Sequence, residues 1–449
     1  MGSPSRFLAL AAVACACGSE SEAPPRSPFA GADVVLLVVD SLHAEHASCY
    51  GAPRRTTPSL DALAERGVRF ADASSQSSWT LPSVATLFTG LEQERHGLRR
   101  LEEALPEAPS TLAELFAAAG YRTAALVQSP ILRSASGLGR GFERYRVLAF
   151  GNEHAERAAE LAAGELERDE SRPLFLYVHL APPHMPYQPP EPFRGSFAEK
   201  PASDEGSIEA CRRVHRLGEG PLHPDAVRLS ALYDEHVAFA DRLIGVVARA
   251  FDAAGGRRAG LIVVTSDHGE AFLQHGAQGH NATVYEEMVR VPLVFRARGS
   301  VPIGPRVVEG AASLVDVLPT LVELCGLPAP RHELAGSSLA PAMLAGERIG
   351  DRQMFSSSRY GERHRELHLA LRQGRWKLVL AGERVELYDL ERDPGERQDV
   401  AGEEPEVTGR MLEALRRWHR EVEPIEEPRR AADAGDGEVR EELKELGYL

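Results

Sequence analysis

The segment Val34-Val35-Leu36-Leu37-Val38-Val39-Asp40-Ser41 constrains this chain more than any other. Six apolar residues, four of them β-branched, stop abruptly at a carboxylate. A run this short, apolar throughout and without alternation, predicts a strand buried on both faces, as in parallel sheets covered by helices on each side. In open α/β sheets the ligand crevice lies beyond the carboxyl ends of the strands, so an acid in that place faces a site. The design recurs at Leu261-Ile262-Val263-Val264-Thr265, which runs into Ser266-Asp267-His268-Gly269-Glu270. It recurs again at Leu174 to Val178, followed by His179 and, past a turn, by His184. Three buried strands therefore deliver metal-type ligands where they stop.

The alternation of strand and helix continues around these three. Pro58 to Phe70 has the spacing of an amphipathic helix, with Leu60, Leu63, Ala64 and Val68 on one face. A polar turn, Gln76 to Ser83, leads into a helix through Val84–Thr89, with Pro82 suited to its first turn. A helix near Thr111–Ala119 precedes a strand at Thr123–Val127, and Leu229–Phe251 is the longest helical pattern. Leu293–Phe295 reads as a short strand and Leu314–Leu324 as a helix. Gln188 to Pro224, rich in Pro, Gly and charge, reads as a long surface excursion bordering the site. After about Gly350, three short strands (Leu367–Leu371, Arg375–Leu380, Val385–Leu390) and a helix (Pro405–Val422) predict a small antiparallel appended unit, before a charged tail from Pro424 to Leu449. The expected division is residues 1–28 as leader and tether, 30–348 as the α/β catalytic domain, and 349–449 as the C-terminal subdomain.

The chain's 449 residues accommodate one large and one small unit. Its 51 basic against 66 acidic residues give a net charge of −15, which argues against a nucleic-acid partner, since phosphate backbones demand a basic face. At the N-terminus, Arg6 is followed by an apolar Phe7–Ala14 and then by small residues around Cys15, Cys17 and Gly18, the layout of an export signal too short to span a bilayer. The Ala-Cys-Ala-Cys-Gly-Ser run is similar to a bacterial lipoprotein cleavage site with Cys15 or Cys17 lipidated, although Leu is absent from its usual place. This predicts a periplasmic or cell-surface lipoprotein that meets the membrane only through its lipid anchor. Cys49, Cys211 and Cys325 are odd in number and widely separated, so neither a disulfide framework nor a zinc ribbon is expected.

Asp40, Asp267 and His268 are the residues that would gather around a divalent cation; carboxylates suit hard cations, and the imidazole moves the choice toward manganese or zinc. A strand-end acid can equally cap the next helix. The Asp267-His268 pair after an independent strand is what favours the cation. Thr80 could be a plain N-cap with Pro82 at the second helical position, and His179 a satisfied core histidine. His43, His46 and His96 acquire no assigned role. His275 is placed at the rim of the site, Trp79 in the core, and Asp241 as a structural partner.

Together these segments resemble the sulfatase family of the alkaline-phosphatase superfamily. The residues that carry the likeness are Val38-Val39-Asp40-Ser41-Leu42, Ser78-Trp79-Thr80-Leu81-Pro82-Ser83, Pro183-His184-Met185-Pro186-Tyr187 and Thr265-Ser266-Asp267-His268-Gly269-Glu270. It continues through Gly279-His280, Tyr285-Glu286-Glu287, Arg290-Val291-Pro292, the stretch from Ser313 to Thr320, and Leu387-Tyr388-Asp389-Leu390. The resemblance implies an α/β fold: an alkaline-phosphatase-like, doubly wound, mostly parallel sheet with a small C-terminal antiparallel sheet domain. It implies an ester hydrolase using one divalent metal ion, calcium or manganese, held by Asp40, Thr80, Asp267 and His268. Thr80 falls at the family's nucleophile position, and His184 and His280 at positions that contact substrate or exchange protons.

Three departures shape the expected chemistry. Sulfatases oxidise a cysteine or serine to formylglycine, whose hydrate expels sulfate by re-forming the aldehyde; threonine cannot become that aldehyde. The arginine that usually follows Pro-Ser is Val84, and Ser41 and Pro182 replace expected acids. A Thr80 alkoxide can still attack phosphorus, and one acid, one Thr and Asp-His is a set more similar to lipoteichoic acid synthases and related phosphoglycerol or phosphoethanolamine transferases. The expectation is therefore a sulfatase-family ester hydrolase acting on phosphate esters or transferring phosphoryl groups through Thr80, with a small anionic ester or a glycan- or lipid-linked substrate. The alternative is a non-catalytic homologue that binds sulfated or phosphorylated glycans. A two-zinc phosphodiesterase would need a second Asp/His/His set, for which the sequence offers no convincing spacing.

Overall fold

The computed structural model of the chain describes residues 27–168, 171–197, 206–217, 220–254, 258–281, 283–299, 301, 303–359 and 366–432, with isolated positions beyond, up to 444. The segment expected to be an export signal, with Cys15 and Cys17, and half of the charged tail lie outside the described residues.

The expected central strand is Asp33–Val39, and it lies fifth in an eight-stranded sheet. From one edge the order is Arg306–Ser313, Val68–Ser74, Leu293–Arg298, Gly260–Ser266, Asp33–Val39, Leu174–Leu180, Arg122–Val127 and Arg144–Val147. All neighbours are parallel except Leu293–Arg298, which runs antiparallel to both of its own. Successive side chains of a strand point to opposite faces. Val34, Leu36 and Val38 accordingly join a core with Phe70, Phe88, Phe116 and Phe175. Val35, Leu37 and Val39 join another with Ala159, Tyr233, Phe239 and Ile244. The second core is roofed by the helices Asn152–Glu167 and Pro224–Ala253, the first by Thr80–Thr89, Leu112–Ala118 and Val317–Cys325. Two cores explain why the central run carries no polar alternation: neither face meets water.

Several local expectations change. The helix expected over Pro58–Phe70 stops at Glu65, and Val68 begins a strand. Between them Gly67 lies flat against the adjacent strand, where a Cβ would come 2.3 Å from the Phe295 carbonyl oxygen; only glycine allows that approach. The excursion Gln188–Pro224 contains a helix, Ile208–Leu217, that buries Ala210, Cys211 and Val214. The C-terminal antiparallel sheet has four strands, not three: Gln353–Ser358, His368–Gln373, Trp376–Ala381 and Arg384–Asp389, in that order. The additional strand, Gln-Met-Phe-Ser-Ser-Ser, is mostly polar and so lacks the apolar pattern that marks the others. Helix Pro405–Glu421 covers this sheet with Met411, Ala414 and Leu415 over Leu369, Leu371, Leu378 and Leu387. Cys49, Cys211 and Cys325 are free thiols, and no described helix is long and apolar enough to cross a membrane.

Asp241, on the long helix, is the structural partner expected of it. Its carboxylate accepts the backbone N–H groups of Ser59 (2.8 Å) and Leu60 (2.9 Å), which open the helix Pro58–Glu65. Burial pushes its carboxyl up to about 6, against the pull of those two donors. A folded-state pKa above the unfolded value gives a stability contribution that is complete below about 3.8 and is lost as pH rises through about 6. Urea midpoints measured from pH 4 to pH 7 should therefore fall more for the native chain than for Asp241→Asn; parallel profiles would refute this assignment.

Candidate active site

Strands Asp33–Val39 and Gly260–Ser266 pair in register, Val39 opposite Ser266, so the chain sets Asp40 beside Asp267 as both strands end. Ser41 turns the backbone away at φ 58°. Its N–H donates to Asp267 Oδ1 (3.1 Å) and its hydroxyl to Asp40 Oδ1 (2.9 Å). The serine that replaces an expected acid thus ties the two remaining carboxylates together. His268 Nδ1 lies 2.9 Å from the Gly269 carbonyl, to which it can only donate, so Nε2 is the ring nitrogen turned inward, the one that could offer a lone pair to a cation. That Nε2 is 3.6 Å from both Asp40 Oδ1 and Asp267 Oδ2.

These three side chains are fully buried, and their candidate ligand atoms lie within 4.8 Å of one another. Asp267 Oδ2 has no hydrogen-bond partner among the described residues. Burial, and then the charge of Asp40, raise the Asp267 carboxyl. Asp40 is held well below the usual carboxylate range: burial opposes its ionisation, but the charge of His184 and the hydrogen bond and charge of His179 outweigh it. A buried oxygen without a donor, two acids in one hole and an imidazole lone pair are a donor set that fits a divalent cation.

Thr80 enters from a third direction. It is the first residue of the helix Thr80–Thr89; Trp79 occupies the cap position, and no side chain caps the helix. Capping is therefore not what Thr80 does. Its hydroxyl oxygen lies 3.3 Å from His268 Nε2, at the positive end of the helix. The turn before it is held by Ser75 and Ser83, which both donate to the Ser77 carbonyl. His96, which sequence left without a role, braces the same helix: Nε2 is 3.1 Å from the Pro82 carbonyl, and burial pushes the ring down to about 3.

His184 and His280 close the site, with ring centroids 4.7 Å apart and His280 4.6 Å from His268. His184 Nδ1 is 2.6 Å from the Met185 carbonyl, and burial lowers its pKa. Burial and the charge of His268 push His280 down to about 3. Glu270, 3.1 Å from His280 Nδ1, was quoted in the sequence motif without a task; burial pushes its carboxyl up to about 8. The six expected site residues thus converge. His275 does not rim the site: it bridges Glu287 (2.8 Å) and the Glu396 carbonyl (2.8 Å) and stacks on Tyr285 at 3.7 Å. His46 braces Asp234, His43 is buried with neither ring nitrogen hydrogen-bonded among the described residues, and Trp79 lies in the core.

A family model described as Sulfatase matches residues 32–327 of the chain. The chain belongs to the sulfatase family. A second model, N-sulphoglucosamine sulphohydrolase, C-terminal, matches residues 278–421. The chain is 26% identical to human arylsulfatase A, over 93% of this chain and 90% of the relative. It is 24% identical to Delta 4,5-hexuronate-2-O-sulfatase of Bacteroides thetaiotaomicron, over 86% of each. Among solved structures, a 2-O GAG sulfatase superposes with a TM-score of 0.73 at 23% identity, covering 87% of this chain and 92% of the other. The phosphonate monoester hydrolase of Agrobacterium radiobacter superposes with a TM-score of 0.71 at 25% identity, covering 86% and 96%. The protein is thus a sulfatase-family hydrolase with an alkaline-phosphatase-like fold. Sulfatases bind a divalent metal, and Asp40, Asp267 and His268 are the candidate site for it here.

A ligand that binds only the folded state stabilises it by mass action, by about 2.7 kcal/mol at a hundred times its Kd. Mn2+ or Ca2+ added to metal-stripped protein should raise Tm accordingly, and Asp267→Asn should abolish the rise. A native Tm indifferent to both cations would count against the site.

Proposed function

We propose that this sulfatase-family protein is a metal-dependent phosphoester hydrolase or phosphoryl transferase with Thr80 as its nucleophile. The observation that carries the reading is the placement of a single secondary hydroxyl, 3.3 Å from His268 Nε2 and beside Asp40 and Asp267, where its oxygen has no capping duty. Formylglycine chemistry needs a side-chain carbon that can become an aldehyde and carry two hydroxyls. Thr80 has one oxygen and a methyl group on that carbon. Its remaining competence is that of an alcohol, attacking phosphorus in line.

Asp40, Asp267 and His268, with the Thr80 oxygen, would hold the cation, which supplies Lewis-acid stabilisation of charge on the phosphoryl oxygens and eases ionisation of a nearby hydroxyl. The rest falls to the chain. The Thr80 oxygen forms a bond to phosphorus as the ester oxygen departs, and water or an acceptor alcohol then displaces Thr80 from phosphorus. Burial lowers the pKa of both His184 and His280. An anionic phosphate entering between them raises their proton affinity, so that one imidazole can take up the Thr80 proton while the other hands one to the leaving oxygen; in the second step the first returns its proton to Thr80 and the second recovers one from the attacking water. Glu270 fixes the His280 ring through Nδ1. The helix N-terminus at Thr80 adds a favourable field for the transferred anion.

Phosphorus chemistry in the name of the Agrobacterium neighbour supports this reading. The N-terminal segment, similar to an export signal, is consistent with a reaction outside the cytoplasm, on a glycan- or lipid-linked ester met by a lipid-anchored enzyme. The test compares an aryl sulfate, a phosphate monoester and a phosphodiester, each assayed with calcium, manganese or zinc. Thr80→Ala should lose phosphoester turnover by about 10³-fold or more while Thr80→Ser keeps part of it. Sulfate-ester turnover that survives in Thr80→Ala would overturn the nucleophile assignment, and silence on all three substrates with every metal would favour a binding homologue.

A further inference from the structure

Behind Asp40 lies a chain of contacts to which the chemistry above assigns no task. His179 Nε2 is 3.2 Å from Asp40 Oδ2, and His179 Nδ1 is 3.0 Å from the Tyr177 hydroxyl. All three side chains are completely buried. We propose that His179, itself held by Tyr177, is a positioning residue that locks the carboxylate of Asp40 in the orientation required by a divalent cation. The inference rests on the metal-site reading above and concerns a residue outside that ligand set.

The hydrogen-bond logic follows from donors and acceptors. An ionised Asp40 can only accept, so His179 Nε2 must present its hydrogen to Oδ2. The other ring nitrogen faces the Tyr177 hydroxyl, which can accept from it when the ring is protonated and donate to it when the ring is neutral, so the contact is kept in either state. Asp40 Oδ1 receives the Ser41 hydroxyl at 2.9 Å. Each carboxylate oxygen is therefore pinned by one donor from a different element, which blocks rotation of the group and leaves Oδ1 facing His268 Nε2 at 3.6 Å.

The backbone makes this arrangement inevitable. His179 sits opposite Val38 in the parallel ladder, one step before the strand that bears Asp40 ends, and Tyr177 is two residues earlier on the same face. The Tyr177 ring packs edge-on against Phe88 at 4.7 Å and 76°. Phe88 belongs to the helix that begins with Thr80, so one stack of rings joins the backs of Asp40 and of the nucleophile helix. His179 is not needed as a ligand, since Asp40, Asp267 and His268 already form the cluster. Partners in this outer position commonly govern metal affinity by about 10- to 100-fold.

The experiment is calorimetric titration of Mn2+ into the metal-stripped full chain, with apo-protein Tm recorded for each variant. His179→Leu, close to the histidine in size, should weaken Mn2+ binding by about 10- to 100-fold. His179→Gln, which can still present an N–H to Asp40, should recover most of that loss, and Tyr177→Phe should weaken binding by a smaller factor. Native Mn2+ affinity in His179→Leu, or equal weakness in His179→Gln and His179→Leu, overturns the proposal. If His179→Leu does not fold, Tyr177→Phe decides, because it keeps the ring packing and removes only the hydroxyl; unchanged affinity there overturns the proposal. Asp40→Asn serves as the separate control: native affinity in that variant would overturn the metal-site reading itself, and with it the role of His179.

Discussion

Two carboxylates in one dry hole set the terms for the rest of this structure. Register pairing of Asp33–Val39 with Gly260–Ser266 leaves no choice about where Asp40 and Asp267 go, and both are fully buried. Like charges this close, without water, oppose one another's ionisation. The surroundings answer unequally. Asp40 has His179 and the Ser41 hydroxyl on its two oxygens, whereas Asp267 Oδ1 takes two backbone N–H groups and Oδ2 takes none among the described residues. The unfilled oxygen, not the filled ones, is the informative one, because a buried acceptor without a donor costs about 1–3 kcal/mol unless a ligand completes it.

The C-terminal sheet belongs to this problem as much as the central one does. Its first strand sends polar groups into the turn that precedes Thr80: Ser357 N–H donates to the Gln76 carbonyl (2.9 Å), the Ser356 hydroxyl to the Ser75 carbonyl (3.0 Å), and Ser358 and Ser78 share a bond of 2.7 Å. Behind it Lys377, fully enclosed, is shared between Glu286 (2.8 Å) and Glu396 (2.9 Å), while Arg372 grips Asp72 with both guanidinium nitrogens. Buried ion pairs add little net stability, but breaking one is costly, so they fix a single docking of one sheet on the other. The position of the Thr80 hydroxyl is thereby set by residues 270 or more positions later in the chain.

This explains what could be read from sequence and what could not. The strand-end acids were legible because a fully buried parallel strand has an unmistakable composition and a fixed relation to the ligand crevice. Thr80, His184 and His280 were singled out through their motifs, and the fold does bring their side chains together around His268. Val68 was misplaced on a helix because its spacing from Leu60, Leu63 and Ala64 satisfies a helical face; the break comes from Gly67 meeting the Phe295 carbonyl, a contact more than 200 residues distant in sequence. The strand Gln353–Ser358 escaped because its job is to hydrogen-bond outward, which gives it serines where a core strand would have valines. Ser41 was legible only as an absence of acid, and its work as a clasp for Asp40 and Asp267 depends on a positive φ that no pattern announces. His179 could be placed at a strand end but not assigned a partner, since that requires knowing which strand lies beside it.

The departures from the family pattern act together. Val84, where the sulfatases carry an arginine, is fully buried in the core beneath the sheet among Leu81, Phe88 and Leu112. A guanidinium there would put a fixed positive charge one turn along the helix that Thr80 begins; a valine leaves that position apolar. Ser41, in place of an expected acid, puts a neutral hydroxyl against Asp40 where a further carboxylate would add negative charge. The polar groups disposed around the Thr80 oxygen are imidazoles, the helix end and the Asp40/Asp267 pair. Such a setting does little to activate a hydrated aldehyde, for which a fixed cation beside the side chain is useful. On the proposed reading it suits an alcohol whose ionisation is governed by whatever occupies the gap between Asp40, Asp267 and His268, 3.3 Å separating the Thr80 oxygen from His268 Nε2.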